Sequence, residues 1–152
     1  MYHVGLDVHL KYITVCVLND NGKVHQRCTL HSIGEVVALL SGLPGPCQVC
    51  YEASTGYGFV FDALSPVAQH IAVAHPGLLR LIYRSKQKND RADALKLAKL
   101  LYIDEVPSVH VPSSDTRAWR ELITFRRKLV EKRTRAKNFI RGLLRSLGDS
   151  TC

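Results

Sequence analysis

Apolar and polar positions alternate or cluster along the first third of the chain with strand spacing. Residues 3–8 read as a short buried strand with one charge, Asp7, set among Val4, Leu6 and Val8. Residues 12–18 are rich in β-branched side chains and read as a second strand. Asn19-Asp20-Asn21-Gly22 follows, a hairpin signal in which Asn-Gly tolerates the positive φ angles of a type I′ turn, and 23–30 returns as a third strand. An antiparallel meander with the first strand innermost is the expected result. Ser32 and Glu35 have the spacing of a capping box, with Val36, Val37, Leu39 and Leu40 on the buried face of the helix it opens. Gly42-Leu43-Pro44-Gly45-Pro46 ends that helix.

The period then alternates. Residues 47–51 form a strand that runs straight into Glu52, 57–64 a helix closed by Ser65-Pro66, and 70–74 a strand stopped by Pro76. A meander followed by strand–helix–strand units specifies an α/β domain with a mixed sheet. Residues 78–83 make a short apolar helix or turn. A basic link that reads as mobile leads to a helix over 90–101, with Ala94, Leu97, Ala98 and Leu101 on one stripe. From about Ser114 one helix of some thirty residues begins, capped at Ser114 or Asp115 and ending at Gly142 or Gly148. Leu122, Leu129, Ala136 and Leu143 recur every seven residues, with Ile140 and Leu147 at partner positions that Arg126 and Arg133 spoil elsewhere. The expected organisation is a domain over 1–104, a linker over 105–113 and a long basic helix over 114–148.

Length and composition suit this plan: 152 residues, 46% hydrophobic, form one ordinary domain with an appendage. No apolar run is long enough to span a membrane, and the chain opens directly on a strand pattern rather than a secretory signal. The five cysteines (Cys16, Cys28, Cys47, Cys50, Cys152) are odd in number and scattered through apolar contexts, which predicts reduced thiols in a cytosol. Cys47 and Cys50 fall on one strand at i and i+3, so they point to opposite faces and do not make a zinc or redox pair. The seven histidines read as surface or strand-edge residues.

Charge changes the picture more. The net charge is +8, but residues 1–83 carry four basic and five acidic side chains and residues 84–152 carry seventeen and eight. Such asymmetry predicts a polyanionic partner, most simply nucleic acid, held by the second half.

Two carboxylates, Asp90 and Asp93, open the helix at 90–101 and share one face. Acids in a first helical turn also suit the helix dipole and capping, so this pair has an ordinary structural reading too. Two acids upstream weigh against it. Asp7 lies in an apolar strand, where an unpaired carboxylate costs several kcal/mol, and Glu52 ends its strand. If those strands are parallel neighbours about 4.8 Å apart, the two acids face each other at the carboxyl ends, where ligands of α/β sheets gather. Four carboxylates without convergent histidines describe a hard oxygen site suited to Mg²⁺ or Mn²⁺, and a two-metal arrangement there serves phosphodiester chemistry.

Gly5-Leu6-Asp7-Val8-His9, Tyr51-Glu52-Ala53-Ser54 and Lys88-Asn89-Asp90-Arg91-Ala92-Asp93-Ala94 resemble the three blocks of the DEDD insertion-sequence transposases, a family that includes Piv-type invertases and bridge-RNA-guided recombinases. The resemblance covers the chain to about Leu101 and implies an RNase H-like (RuvC-like) mixed sheet flanked by helices, followed by a coiled-coil-like region. It implies Asp7, Glu52, Asp90 and Asp93 as Mg²⁺ ligands and catalytic acids, and a serine nucleophile from a separate C-terminal domain. That domain is expected to begin where this chain stops, at Cys152. DNA is the implied substrate, a structured guide RNA a further partner, and a dimer or tetramer through the long helix the implied assembly. Arg84, Lys86, Lys88, Arg91, Arg120, Arg126, Arg127, Lys132, Arg133, Arg135 and Lys137 are the candidate phosphate contacts. Two other functions fit the residues: a stand-alone Holliday-junction resolvase-like nuclease, and a non-catalytic nucleic-acid-binding dimerisation module.

Overall fold

The structure, a computed structural model, describes residues 1–54, 56–82 and 90–148, excepting the side chains of residues 90 and 91. Five strands, β1 (Tyr2–Val8), β2 (Ile13–Leu18), β3 (Val24–Leu30), β4 (Cys47–Glu52) and β5 (His70–Ala74), form one sheet in the order β3-β2-β1-β4-β5. The meander β1-β2-β3 is antiparallel, while β1-β4 and β4-β5 are parallel, so the first strand is central as its patterning requires. The helices are α1 (Ile33–Ser41), α2 (Tyr57–Leu64), α3 (Pro76–Ile82), α4 (Asp90–Tyr102) and α5 (Ser114–Ser146). The mixed sheet, its helices and the long terminal helix are those anticipated.

Strand alternation gives the sheet two unlike faces. One carries Val4, Leu6, Val15, Val17, Val49, Tyr51 and Val73, all essentially inaccessible, packed with Val36 and Leu40 of α1 and Val60 and Leu64 of α2. Each such side chain contributes about 1.5–3 kcal/mol on burial. The Tyr51 hydroxyl donates to the Tyr57 carbonyl at 2.6 Å. The other face is made of small residues. Gly5, Cys16, Cys50, Ala72 and Ala74 leave room for α4, which seats Ala94, Leu97, Ala98 and Leu101 against them. At Gly5 the approach is main chain to main chain: a Cβ built there would lie 2.1 Å from the Ala94 carbonyl oxygen and 2.5 Å from the Ala98 amide nitrogen.

The Ser32–Glu35 cap at α1 forms, with its return bond one residue earlier than a capping box places it. Ser32 Oγ accepts from the Glu35 amide at 3.2 Å, while Glu35 reaches back to accept from the His31 amide at 3.0 Å. The His31 amide holds the Glu35 carboxyl below its usual range. That contribution is present above the ordinary carboxylate pKa and fades as pH falls through the lowered one. Ser32→Ala is expected to cost about 1 kcal/mol in urea unfolding at neutral pH; an unchanged midpoint would show the cap to be idle.

Three local features differ from the sequence reading. The β2–β3 turn is not type I′: Gly22 has φ +68°, but Asn21 does not share a positive φ. The Gly22 amide donates to the Asn19 carbonyl at 2.9 Å, and Asn19 Oδ1 accepts from the amides of Asn21 and Lys23, so a side-chain-braced turn with glycine last replaces the two-residue one. Residues 107–109 lie against the outer edge of β5. The Val109 amide donates to the Val73 carbonyl at 2.7 Å, the His75 amide donates to the Pro107 carbonyl at 2.8 Å, and Ser108 bridges Ala74. The first compact unit accordingly runs Met1–Val111, and the second is Pro112–Cys152.

The third concerns α5. Its cap is Ser113, one residue before the expected position, with Oγ accepting from the Thr116 amide at 3.3 Å. The helix passes through Gly142 and ends before Gly148, which has φ +85°. Its 33 residues span about 50 Å, and none of its described side chains is buried within the chain.

Candidate metal centre

β1 and β4 pair in parallel register through Leu6 and Tyr51, and the next step along both strands places Asp7 beside Glu52. Each acid directly follows a residue of the α1/α2 core, so both project to the opposite face, the one covered by α4. Adjacent strands are about 4.8 Å apart, so the backbones of the two acids are neighbours, and like charges drawn close together favour a cation between them. On the other flank, Asp7 pairs with Thr14 of β2, the one buried polar residue among those described.

The direction of α4 follows from its contacts. The Tyr102 ring meets His3 edge-on at 5.2 Å, and Ala98 and Ala94 lie over Gly5. The helix therefore runs antiparallel to β1 and brings its amino end to the carboxyl ends of β1 and β4. Four strand steps from His3 to Asp7 cover about 13 Å, and nine helical steps from Tyr102 back to Asp93 cover about 13.5 Å. Asp93 is thus level with Asp7 along the sheet. Its Oδ1 accepts from Lys96 Nζ at 2.7 Å. Asp90 lies one turn further toward the amino end of α4, and its side chain is outside the described residues.

Asp7 is the most shielded of the described acids at this end of the sheet, with its side chain 18% exposed, and Oδ2 is 3.0 Å from His9 Nε2. Glu52 is exposed. Among the described residues no three His, Cys, Asp or Glu side chains are gathered closely enough to hold a metal ion. In chemistry, Asp7, Glu52 and Asp93 fit a hard divalent cation: all three are carboxylates, the first two on the face of the sheet that α4 covers and the third on α4 itself.

His9 is the residue to which sequence reasoning gives no role here, grouping it with the other histidines as surface or strand-edge residues. The signal was available: Asp7 and His9 are two apart at a strand end, so they share a face. The cysteine pair behaves as its spacing requires. Cys47 belongs to the α1/α2 core and Cys50 to the α4 layer, where burial pushes its thiol up to about 12.

Of the candidate phosphate contacts, Arg84, Lys86 and Lys88, and the side chain of Arg91, lie outside the described residues. Arg120, Arg126, Arg127, Lys132, Arg133, Arg135 and Lys137 are all exposed on α5, with Arg127 also 3.8 Å from Glu131. The α5 apolar stripe is wider than the heptad reading. Phe125 and Phe139 stand three residues after Leu122 and Ala136, and Leu122, Phe125, Leu129, Phe139, Ile140 and Leu143 are each 48–68% exposed. No helix among the described residues is long and apolar enough to cross a membrane.

Comparison with known proteins bears on these features. Residues 4–148 match the family model of the IS110-type DEDD transposases, described as "Transposase". The protein y4qE of Sinorhizobium fredii, which carries a provisional transposase name, is 36% identical over 83 residues, covering 54% of this chain and 21% of that protein. The transposase for insertion sequence element IS1533 of Leptospira borgpetersenii is 29% identical over 105 residues, 65% of this chain and 30% of that protein. The chain thus spans less than a third of either relative. Among solved structures, T. thermophilus RuvC in complex with Holliday junction substrate aligns with a TM-score of 0.48 at 12% identity, over 71% of this chain and 98% of that one.

Proposed function

Because the chain belongs to the IS110-type DEDD transposase family, we propose that residues 1–111 are the acidic catalytic domain of a DNA transposase or site-specific recombinase, and that α5 serves assembly and nucleic-acid contact. In this reading Asp7, Glu52, Asp90 and Asp93 hold Mg²⁺ or Mn²⁺. The cation, when bound, stabilises charge on the attacking and leaving oxygens of a DNA phosphodiester. The chain's own part is to carry the acids: β1 and β4 end with the first two on adjacent strands, and the other two belong to the amino end of α4. The observation that supports the reading is the parallel register of β1 and β4, which runs to the residues just before Asp7 and Glu52, together with the approach of α4 to Gly5. The exposed Arg and Lys residues of α5, with those of 84–91, take the phosphates of DNA and of a structured guide RNA. Strand exchange then calls on a serine carried by a further C-terminal domain.

The apolar stripe of α5 favours self-association. A helix of 33 residues whose apolar side chains stay exposed derives little stability from its own chain, and pairing with a second copy supplies it.

Titration calorimetry with Mg²⁺ and Mn²⁺ tests the site. Wild type is expected to bind, and Asp7→Ala and Asp93→Ala each to weaken binding at least about tenfold, or 1.4 kcal/mol. Loss in both variants puts the strand acid and the helix acid at one cation. Unaltered affinity in either removes that residue from the site. DNA binding indifferent to chelator, in a chain that binds no cation with or without DNA, favours the non-catalytic module. Nicking of junction DNA by this chain alone favours the resolvase-like nuclease.

A further inference from the structure

We propose that His9 is a positioning residue for Asp7, fixing the orientation of its carboxylate for a divalent cation; this rests on the metal reading above and extends it to a residue outside the four acids. Three observations carry it. His9 Nε2 lies 3.0 Å from Asp7 Oδ2, and because an ionised carboxylate can only accept, the imidazole nitrogen is the donor. The imidazole is itself held: its ring centroid is 4.8 Å from that of Tyr12, and the His9 amide donates to the Tyr12 carbonyl at 2.9 Å, closing the connection between β1 and β2. The pair is also partly withdrawn from water, with side chains 31% and 18% exposed for His9 and Asp7, so the hydrogen bond is less diluted by solvent than one on an open surface.

The three contacts form a chain of constraint. The β1–β2 connection holds Tyr12, Tyr12 braces the imidazole, and the imidazole holds one oxygen and the plane of the Asp7 carboxylate. A strand-end carboxylate without such a partner rotates about two side-chain bonds, and a cation that binds it must first restrict that rotation. Hydrogen bonds of this kind orient ligating groups, and their removal typically costs 10–100-fold in metal affinity. The imidazole does not serve as a ligand in this arrangement: its Nε2 is engaged by Asp7, and hard cations prefer oxygen.

The test uses the full chain and Mn²⁺ alone, read by calorimetry and by electron paramagnetic resonance. His9→Phe keeps a ring against Tyr12 and removes the donor; His9→Gln restores a donor without the ring. His9→Phe is expected to weaken Mn²⁺ binding by about 10–100-fold with an unchanged melting temperature, and His9→Gln to recover most of that loss. The spin echo of Mn²⁺ bound to wild type is expected to lack the ¹⁴N coupling of a directly bound imidazole. Should His9→Phe melt early, His9→Gln and the echo decide: a Gln variant as weak as the Phe one, or a ¹⁴N coupling in wild type, overturns the proposal. Wild-type affinity in a folded His9→Phe, while Asp7→Asn abolishes binding, overturns the positioning role and leaves the metal site standing. Equal binding by wild type and Asp7→Asn overturns the metal reading and the role of His9 together.

Discussion

Replacing Gly5 by alanine is expected to destabilise the chain by about 3 kcal/mol or more, far beyond the usual effect of adding one methyl group. The new Cβ would sit 2.1 Å from the Ala94 carbonyl oxygen and 2.5 Å from the Ala98 amide nitrogen. Neither is the end of a flexible side chain; both belong to the backbone of α4. Relief therefore requires the helix to lift from the sheet, and Leu97, Leu100 and Leu101, buried on the same helix, would lift with it. Overpacking of this kind commonly costs about 1–3 kcal/mol, and a rigid obstacle takes it to the top of that range or past it. Gly142→Ala is the internal control. Nothing lies within 4 Å of its added Cβ, and the position is inside α5, so a gain of about 0.5–1 kcal/mol in helix stability is expected. Denaturant unfolding of both variants is the measurement. A loss below about 1 kcal/mol at Gly5 would mean that α4 does not rest on β1 as described. Because the same contact carries the amino end of α4 toward Asp7, a Gly5→Ala chain that still folds is expected to bind Mn²⁺ more weakly.

The second large effect concerns association. Leu129→Glu with Leu143→Glu is expected to weaken self-association of the chain by at least about three orders of magnitude, read by sedimentation equilibrium at several concentrations. In a pair of α5 helices each chain presents both leucines, so four side chains are involved, each worth about 1.5–3 kcal/mol when buried. The substitutions also place carboxylates in an apolar seam, where unpaired charge is costly. Circular dichroism separates this from loss of the fold, since the sheet and α1–α4 should be unaffected. Association unchanged in the double variant would remove the α5 stripe from the interface.

Much of the molecule was legible because its signals are local. The capping box at Ser32 and Glu35, the glycine–proline run after α1, and the alternation of strand and helix periods each lie within a window of ten or so residues, and each was placed within a residue or two. The carboxyl-end position of Asp7 and Glu52 was legible one level up, from the rule that parallel strands align their ends. What the sequence hid depends on partners distant in the chain. Residues 107–109 carry no strand period of their own, and their pairing with β5 is fixed by an edge more than thirty residues away. The turn at Asn19–Gly22 looked like an Asn-Gly pair, but Asn19 Oδ1 accepts from two amides, bonds that a two-residue turn does not use. His9 was overlooked because the histidines read as surface or strand-edge residues, not as donors to a neighbouring acid. Phe125 and Phe139 escaped because the seven-residue count was followed with a step of four and not of three.

The pairing of residues 107–109 has a mechanical corollary. The chain leaves the sheet at this point on its way to α5, so tension applied along α5 is delivered to the outer rim of β5. The hydrogen bonds there are met in chain order from the α5 side: Val109 to Val73 takes the load first, His75 to Pro107 next. Bonds loaded one after another yield at lower force than bonds loaded together. A pull from the helix is thus expected to unzip this margin before it disturbs the central strands, and because Ala74, which Ser108 bridges, is also the register partner of Glu52, the loosened margin lies one strand from the acids.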